Sequence, residues 1–314
     1  MKILTIQNRI GIGDMVIFLP FIEAVAKKFS TPVYLLTKES SKASQILKSN
    51  KNIKEIIILD RNNNKNGYHD GLTGSLNLIK QLKAYNFDKI FIFNSSLRYN
   101  LIARLAGIKS IYQYPFSFGK KDNMVISAKI FTEDITEKVV STEPNLIIKK
   151  ENNNFDKNFK HVIFGISASG KTKIWDINNY IRLGQEISKK VRCKFYIAAG
   201  PNDIDLIDKF KNSNIGKNSI SFEKLSIKET LPIIKNCDVY IGNDTGFAHI
   251  SVALKIKSLV IFTDTPIKVY GRYAPAFMST VEPQGENERT VHNTLGADSI
   301  SFDEVYNKSI QMLN

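Results

Sequence analysis

The stretch that decides the fold is Val239-Tyr240-Ile241-Gly242-Asn243-Asp244-Thr245-Gly246-Phe247-Ala248-His249. An apolar run typical of a buried strand ends at a small polar turn, and a helix is predicted to follow over 248–254. A helix that begins at Thr245 and Gly246 presents unpaired backbone N–H groups and the positive end of its dipole, which attract phosphate or diphosphate. Gly246 lets an anion approach the backbone, and the Thr245 hydroxyl can add a hydrogen bond. This stretch alone leaves open an ordinary strand-to-helix turn with Asp244 or Thr245 as its N-cap.

The same alternation of apolar strands and amphipathic helices runs through the whole chain and predicts an α/β fold. Strands are predicted over 2–6, 33–36, 55–59, 89–93, 110–113, 161–166, 194–199, 239–241 and 258–262. Helices are predicted over 15–29, 40–49, 72–85, 98–106, 177–190, 203–211, 227–235, 248–254 and 302–312.

A polar segment over 149–158 separates the two halves of this pattern. Each half has enough strands and helices for a core of its own. We therefore predict an N-terminal domain over 1–155 and a C-terminal domain over 156–314. Each is expected to be a Rossmann-like, doubly wound domain, and the two are expected to face each other across a cleft.

The composition describes a soluble globular protein with an unusual charge. Of the 314 residues, 43% are hydrophobic and 24% are charged. The formal charge of +14 and the pI of about 9.5 favour a polyanionic partner, such as nucleic acid, an anionic membrane or a phosphorylated substrate. Nucleic acid is the weakest of the three, because the chain has no zinc-finger spacing and no aromatic-basic RNA signature. A Lys- and Asn-rich proteome would also explain the charge.

Cysteine usage and hydropathy indicate the compartment. Cys193 and Cys237 form no disulfide framework and no metal-ligand spacing, which fits a reducing cytoplasm. The most apolar stretch, 15–26, contains Pro20 and Glu23 and is too short to span a bilayer. We expect a cytoplasmic protein that can touch a membrane surface without crossing it.

A glycine-rich turn, Asn8-Arg9-Ile10-Gly11-Ile12-Gly13-Asp14, follows the first predicted strand. In doubly wound folds such turns at the carboxyl ends of strands form binding sites. The turn is not a dinucleotide fingerprint, because the third glycine of that motif would fall at Val16. Asp14 is either an N-cap or a general base that faces the cleft, and the two roles are compatible.

The stretch Gly165-Ile166-Ser167-Ala168-Ser169-Gly170-Lys171-Thr172 matches the P-loop pattern of NTPases letter by letter. Gly165, however, falls inside the predicted strand, and the next helix starts only near Ile177. NTPase chemistry is therefore the less favoured alternative, although Lys171 and Lys173 still bring positive charge close to a predicted anion site. After the next strand, Asp203 can accept hydrogen bonds from ribose hydroxyls or cap a helix.

These motifs together resemble the heptosyltransferase-type glycosyltransferases, family 9 of the GT-B fold. The segments that carry the resemblance are Met1-Lys2-Ile3-Leu4, Ile12-Gly13-Asp14, Ser96-Leu97-Arg98, Ala103-Arg104-Leu105-Ala106-Gly107, Lys173-Ile174-Trp175, Asp244-Thr245-Gly246-Phe247-Ala248-His249 and Tyr270-Gly271-Arg272-Tyr273-Ala274-Pro275. Two departures stand out. Phe262-Thr263-Asp264-Thr265 occupies the place of the family's Phe-Gly-Pro-Thr, and Asp176 follows Trp175 where proline is usual.

The resemblance implies an inverting sugar transfer from a nucleotide-diphospho-sugar, ADP-heptose foremost, to an acceptor in the lipopolysaccharide core or a related surface glycan. It implies no cofactor and no metal. Asp14 would be the general base, and Asp203 would bind the ribose. Lys173 and the N–H groups of Thr245, Gly246 and Phe247 would stabilise the leaving diphosphate, with Asp244 on sugar hydroxyls and His249 on phosphate or sugar.

The acceptor side is implied by the same resemblance. Arg98, Arg104 and Lys120 would bind a phosphorylated glycolipid or glycan, and an anionic membrane at the inner face of the inner membrane would be a further partner, with no role for nucleic acid. The alternative that keeps the fold is a protein that binds or epimerises nucleotide sugars without transferring them.

Overall fold

The computed structural model describes residues 1–62, 64, 66–115, 123–148, 155–265, 267–283 and 299–314. The chain divides into two compact units, Met1–Pro144 and Asn145–Asn314. The division falls earlier than the predicted boundary at 155, because the Leu146 N–H already donates to the Ala253 carbonyl oxygen of the second unit (2.9 Å). The predicted acceptor and donor roles of the two domains stay predictions.

The first unit is a doubly wound sheet of five strands in the order β3-β2-β1-β4-β5, and every pairing is parallel. Its strands are β1 (Ile3–Ile6), β2 (Val33–Thr37), β3 (Ile53–Ile58), β4 (Lys89–Ile92) and β5 (Ser110–Gln113). Its helices are α1 (Ile12–Lys28), α2 (Ala43–Ile46), α3 (Gly71–Tyr85), α4 (Leu97–Leu105) and α5 (Met124–Thr136).

The second unit repeats the plan with six parallel strands in the order β11-β10-β9-β6-β7-β8. Its strands are β6 (Lys160–Gly165), β7 (Cys193–Ile197), β8 (Ile220–Ser221), β9 (Val239–Asn243), β10 (Lys257–Ile261) and β11 (Met278–Val281). Its helices are α6 (Ile177–Ser188), α7 (Ile204–Lys211), α8 (Ile227–Lys235), α9 (Gly246–Ala253), α10 (Ile267–Tyr270) and α11 (Phe302–Leu313).

The predicted α/β class is confirmed, and the differences are local. The helix predicted over 40–49 is a 3-10 turn, Glu39–Ser41, followed by the short α2, because Lys42 between them adopts a left-handed backbone (φ 53°). Helix α1 begins at Ile12, before the predicted start, and continues through Pro20. Helices α5 and α10 and strands β8 and β11 were not predicted; α10, β8 and β11 are each no longer than four residues, which is too short for an apolar period to show.

The topology brings the candidate sites to the carboxyl ends of central strands. In the first unit β1 lies beside β4, and the turn that carries Asp14 follows β1. In the second unit β6 lies beside β9, with Gly165 paired to Gly242 in the last rung of the ladder. A side chain at Gly165 would overlap the hydroxyl of Tyr240, and one at Gly242 would overlap the backbone of Gly165, so both positions require glycine.

Candidate functional site

The turn after β9 is held by Asn243, a fully buried residue that sequence analysis did not single out. Its Oδ1 accepts hydrogen bonds from the Trp175 N–H and the Tyr180 hydroxyl, both at 3.0 Å. Its Nδ2 donates to the carbonyl oxygens of Ile166 (3.1 Å) and Ser167 (3.4 Å). One side chain therefore links the turn after β9 to both ends of the loop that follows β6. In the sequence, the one indication of this role of Asn243 was its position directly before Asp244.

Helix α9 starts at this turn with Thr245 in an extended conformation before it (φ −141°, ψ 172°). The Thr245 hydroxyl lies 3.3 Å from the Tyr240 hydroxyl, and the latter also donates to the Asn243 carbonyl oxygen (3.0 Å). Among the described residues, no Thr245 side-chain bond caps the helix. Thr245 is thus the N-cap residue of α9 by position, as one alternative predicted, although its side chain does not close the cap. The first N–H groups of α9, which include those of Gly246 and Phe247, are placed as an anion site requires.

Asp244 and His249 form a buried network with Tyr273. His249 Nε2 lies 3.0 Å from Asp244 Oδ1, and His249 Nδ1 lies 2.6 Å from the Tyr273 hydroxyl. Because a carboxylate only accepts, Nε2–H donates to Asp244 and Nδ1 accepts from the tyrosine. Burial, and then the charge of Asp244, raises the pKa of Tyr273 well above its usual value, so this tyrosine keeps its proton. His249 thus orients Asp244 and has both ring nitrogens engaged within the protein.

The basic turn Lys171–Lys173 is a single 3-10 turn, with Lys171 exposed and Lys173 half-buried. Its middle residue is clamped by the loop after β10. The Thr172 hydroxyl donates to Asp264 Oδ2 (2.6 Å), and the Thr263 hydroxyl donates to the Thr172 carbonyl oxygen (3.0 Å). Thr263 and Asp264 are the residues that replace the family's Gly-Pro, so the departure noted in the sequence forms this clamp.

The P-loop alternative is contradicted by this geometry. A P-loop places its Lys-Thr pair in the first turn of the helix that follows. Here Gly165 is the last residue of β6, and α6 begins only at Ile177. The Asp176 side chain caps that helix by accepting from the Asn178 N–H (2.6 Å). The letter-by-letter match is therefore a coincidence of sequence.

Asp203 lies at the start of α7, after β7, as predicted. Its Oδ2 accepts from the Gly200 N–H (3.0 Å), which closes the turn between the strand and the helix. The side chain is half-exposed. The role on the ribose stays a prediction.

In the first unit, Asp14 lies in the first turn of α1 and has a side chain that is 17% exposed. Its Oδ2 accepts from the Gly11 N–H (3.2 Å), and its Oδ1 lies 3.9 Å from Nη1 of Arg9. The N-cap of α1 is Gly11 and not Asp14, so the predicted N-cap role is wrong; Asp14 is the third residue of the helix and accepts from the backbone of the cap. Its role as general base stays a prediction.

Two of the predicted acceptor residues are described. Arg98 Nη2 donates to the His69 carbonyl oxygen (2.6 Å), and burial, followed by repulsion from Arg61, lowers the pKa of Arg98. Arg61, which the sequence analysis missed, is ion-paired with Asp70 (3.1 Å). Arg61 lies three residues after the carboxyl end of β3, and this position was the one indication of a role in the sequence. The exposed Arg104 donates to Asn100 (2.8 Å). Lys120 lies outside the described residues.

A metal-binding cluster and a membrane-spanning helix are both absent from the described ranges. Within them, no cluster of three or more His, Cys, Asp or Glu side chains could hold a metal ion. Within the same ranges, no helix is both long and apolar enough to cross a bilayer.

Comparisons by sequence and by structure both find similar proteins among the heptosyltransferases and family 9 glycosyltransferases. The chain is 25% identical to the lipooligosaccharide heptosyltransferase 2 of Campylobacter jejuni over 291 residues, 90% of this chain and 84% of that protein. It is similar in fold to the ADP-heptose LPS heptosyltransferase II of E. coli (TM-score 0.78, 13% identity, 100% of this chain and 98% of that one). It is also similar in fold to a family 9 glycosyltransferase of Veillonella parvula (TM-score 0.82, 17% identity, 99% and 97%). These structural similarities confirm the predicted GT-B fold.

The family follows from the sequence itself. The profile of Glycosyltransferase family 9 (heptosyltransferase) matches residues 75–296, well over half of the chain. The chain therefore belongs to glycosyltransferase family 9, the heptosyltransferase family, and is a glycosyltransferase.

Proposed function

We propose that the chain transfers a heptose, with inversion, from ADP-heptose to a phosphorylated acceptor of the lipopolysaccharide core or a related surface glycan. The observation that carries the proposal is the turn after β9. There the start of α9, the Asp244–His249–Tyr273 network and the Asn243 link to the basic loop occur together. The relatives' names support the sugar and the type of acceptor.

The donor diphosphate would bind at the start of α9. The N–H groups of Thr245, Gly246 and Phe247 and the ammonium of Lys173 would offset the charge that develops on the leaving diphosphate, without a metal. Asp244 would accept hydrogen bonds from heptose hydroxyls in an orientation fixed by His249. Asp203 would accept from the ribose.

Asp14 would act as the general base in this reaction. It would take the proton of the acceptor hydroxyl as that oxygen attacks the anomeric carbon on the face opposite the diphosphate. The bond from the anomeric carbon to the phosphate oxygen breaks, and ADP leaves with its electron pair. Attack on the opposite face inverts the anomeric configuration.

The acceptor would be anionic, because the guanidinium groups of Arg98 and Arg61 lie close enough to repel each other, while Asp70 pairs with Arg61. We propose Arg104 and Lys120 as further contacts. A lipid-linked acceptor would place the enzyme in the cytoplasm at the inner face of the inner membrane.

The first experiment is a thermal-shift panel of nucleotide sugars, ADP-heptose included, without added metal. A selective shift with ADP-heptose is expected, and it should be lost in Lys173→Ala and kept in Lys217→Ala, an exposed lysine of the same unit. If no nucleotide sugar in the panel shifted the melting temperature, the proposed donor site would be contradicted.

The second experiment separates transfer from binding. Asp14→Asn should lower turnover by roughly 10²–10⁴ with donor affinity unchanged, as expected for loss of a general base. The exposed Asp208→Asn is the matched control. Full turnover in Asp14→Asn would refute the base, and donor binding without transfer to any acceptor would favour the binding or epimerising alternative.

A further inference from the structure

Two neighbouring helices of the first unit expose a row of leucines. On α3, Leu72 and Leu76 are one turn apart, and on α4, Leu97, Leu101 and Leu105 follow one another at intervals of one turn. These five side chains are between 56% and 87% exposed. Leucine is normally buried, and an apolar row of this length on a soluble protein indicates a surface that is covered by something. We call it the α3–α4 leucine surface.

The two helices form one layer. Leu78 and Leu82 of α3 and Ile102 and Ala103 of α4 pack into the same core cluster on one face of the sheet. Arg98, at the start of α4, donates to the carbonyl oxygens of His69 and Gly71 at the start of α3 (2.6 and 3.4 Å). The exposed leucines therefore lie on adjoining helices, on the side away from the sheet.

The charge of this layer has one sign. Helices α3 and α4 contain no Asp and no Glu, whereas they contain Lys80, Lys83, Arg98 and Arg104. An exposed face that carries apolar residues and only positive charges is complementary to a partner with an apolar interior and an anionic surface.

Helix α5 of the same unit provides the contrast. It also exposes two apolar side chains, Ile126 and Ile130, but its charges are mixed: Lys129 pairs with Glu133 (3.7 Å), and Asp134 follows. Helix α5 packs on the opposite sheet face, where Phe131 contacts Phe93. The combination of exposed leucine and unmixed positive charge is thus specific to α3 and α4 in this comparison.

We propose that the α3–α4 leucine surface docks on an anionic lipid bilayer, with the leucines at the boundary between headgroups and acyl chains and the cations on lipid phosphates. A second copy of the chain is disfavoured as the occupant, because an isologous contact would bring the same cations face to face. The inference rests on the proposed function in one respect: a lipid-linked acceptor requires the enzyme to meet a membrane.

The test is co-sedimentation of the full chain with vesicles of phosphatidylcholine alone and of phosphatidylcholine mixed with phosphatidylglycerol. The wild type should bind the anionic vesicles, less so at high salt. The double variant Leu76→Ser/Leu101→Ser should bind at least about tenfold more weakly. Ile126→Ser/Ile130→Ser on α5 is the matched control and should bind like the wild type.

A second variant keeps the leucines and removes charge. Lys80→Gln/Lys83→Gln should bind anionic vesicles more weakly and with a smaller dependence on salt. Because all these side chains are exposed or lie on helix surfaces, the variants should melt like the wild type, and thermal unfolding checks this.

Three outcomes would overturn the proposal. The wild type could fail to bind anionic vesicles, the leucine variant could bind as well as the wild type, or sedimentation velocity could show a dimer that only the leucine variant abolishes. None of these assays contains a sugar, so each leaves the proposed transfer intact. Conversely, transfer to a deacylated, water-soluble core acceptor should be the same in the leucine variant and in the wild type.

Discussion

Replacing Asn243 with alanine should uncouple the turn after β9 from the loop after β6. The amide makes four hydrogen bonds, two as an acceptor from Trp175 N–H and the Tyr180 hydroxyl and two as a donor to the carbonyl oxygens of Ile166 and Ser167. The first three of these bonds are buried in the second unit, where water cannot readily replace them, and the bond to Ser167 is partly buried.

The loss in the free energy of unfolding depends on which of the four partners can form another hydrogen bond. The single Tyr180 O–H is shared between Asn243 Oδ1 and the Gly165 carbonyl oxygen (3.2 Å), so it keeps an acceptor when the amide is removed. The Trp175 N–H and the Ile166 carbonyl oxygen lose a buried partner, which costs about 1–3 kcal/mol each, and the longer bond to Ser167 contributes less. We expect a total of roughly 3–5 kcal/mol, a large part of the 5–15 kcal/mol typical of a folded domain.

Thermal unfolding checks this prediction. A loss of that size should lower the Tm by roughly 6–20 °C for a unit of this size. Asn236→Ala is the matched control, because that amide is exposed and donates to the Pro232 carbonyl oxygen at the end of α8. A Tm for Asn243→Ala that equals the Tm of the control would refute the reasoning. In that case the buried amide would not hold the loop.

Two further predictions concern the side chains around the proposed diphosphate site. Thr172→Val should weaken ADP binding about tenfold in isothermal titration, because the buried Asp264 carboxylate loses a charge-assisted donor. The control is Asp264→Asn, which keeps an acceptor for Thr172 and removes the charge, and it should bind ADP like the wild type. His249→Phe should lower the free energy of unfolding by about 2–4 kcal/mol, because Asp244 and Tyr273 lose their shared partner; denaturation that shows no change would contradict the network.

The sequence was sufficient where the signal is local. The strand, turn and helix around Asp244 were predicted because a buried apolar run and a small polar turn are contiguous in the chain. The start of α1 was misplaced because Ile12 and Gly13 are poor helix markers, although Asp14 in the first turn accepts from the Gly11 N–H. The break at Lys42 could not be predicted, since a lysine in the left-handed region has no sequence signature.

The bonds that hold the candidate site together are not local. Asn243 reaches residues 76 and 77 positions earlier in the chain, and Thr172 reaches a carboxylate 92 positions later. The sequence showed that Thr263 and Asp264 depart from the family pattern. Only the strand order, which places β9 between β6 and β10, shows that the departure faces the basic turn.

This geometry also accounts for two carboxylates beside a site that is proposed to hold a diphosphate. An isolated carboxylate there would repel the ligand, yet Asp244 accepts from the His249 ring and Asp264 accepts from the Thr172 hydroxyl. Each carboxylate is thus directed at a donor of the protein, while the basic turn and the start of α9 supply the positive potential. In the family pattern, Gly-Pro stands where this chain has Thr263 and Asp264, so the clamp replaces a stiff backbone with side-chain hydrogen bonds. The loop position therefore depends on the bond between Thr172 and Asp264, and that dependence is where this chain should differ from relatives that keep the Gly-Pro pair.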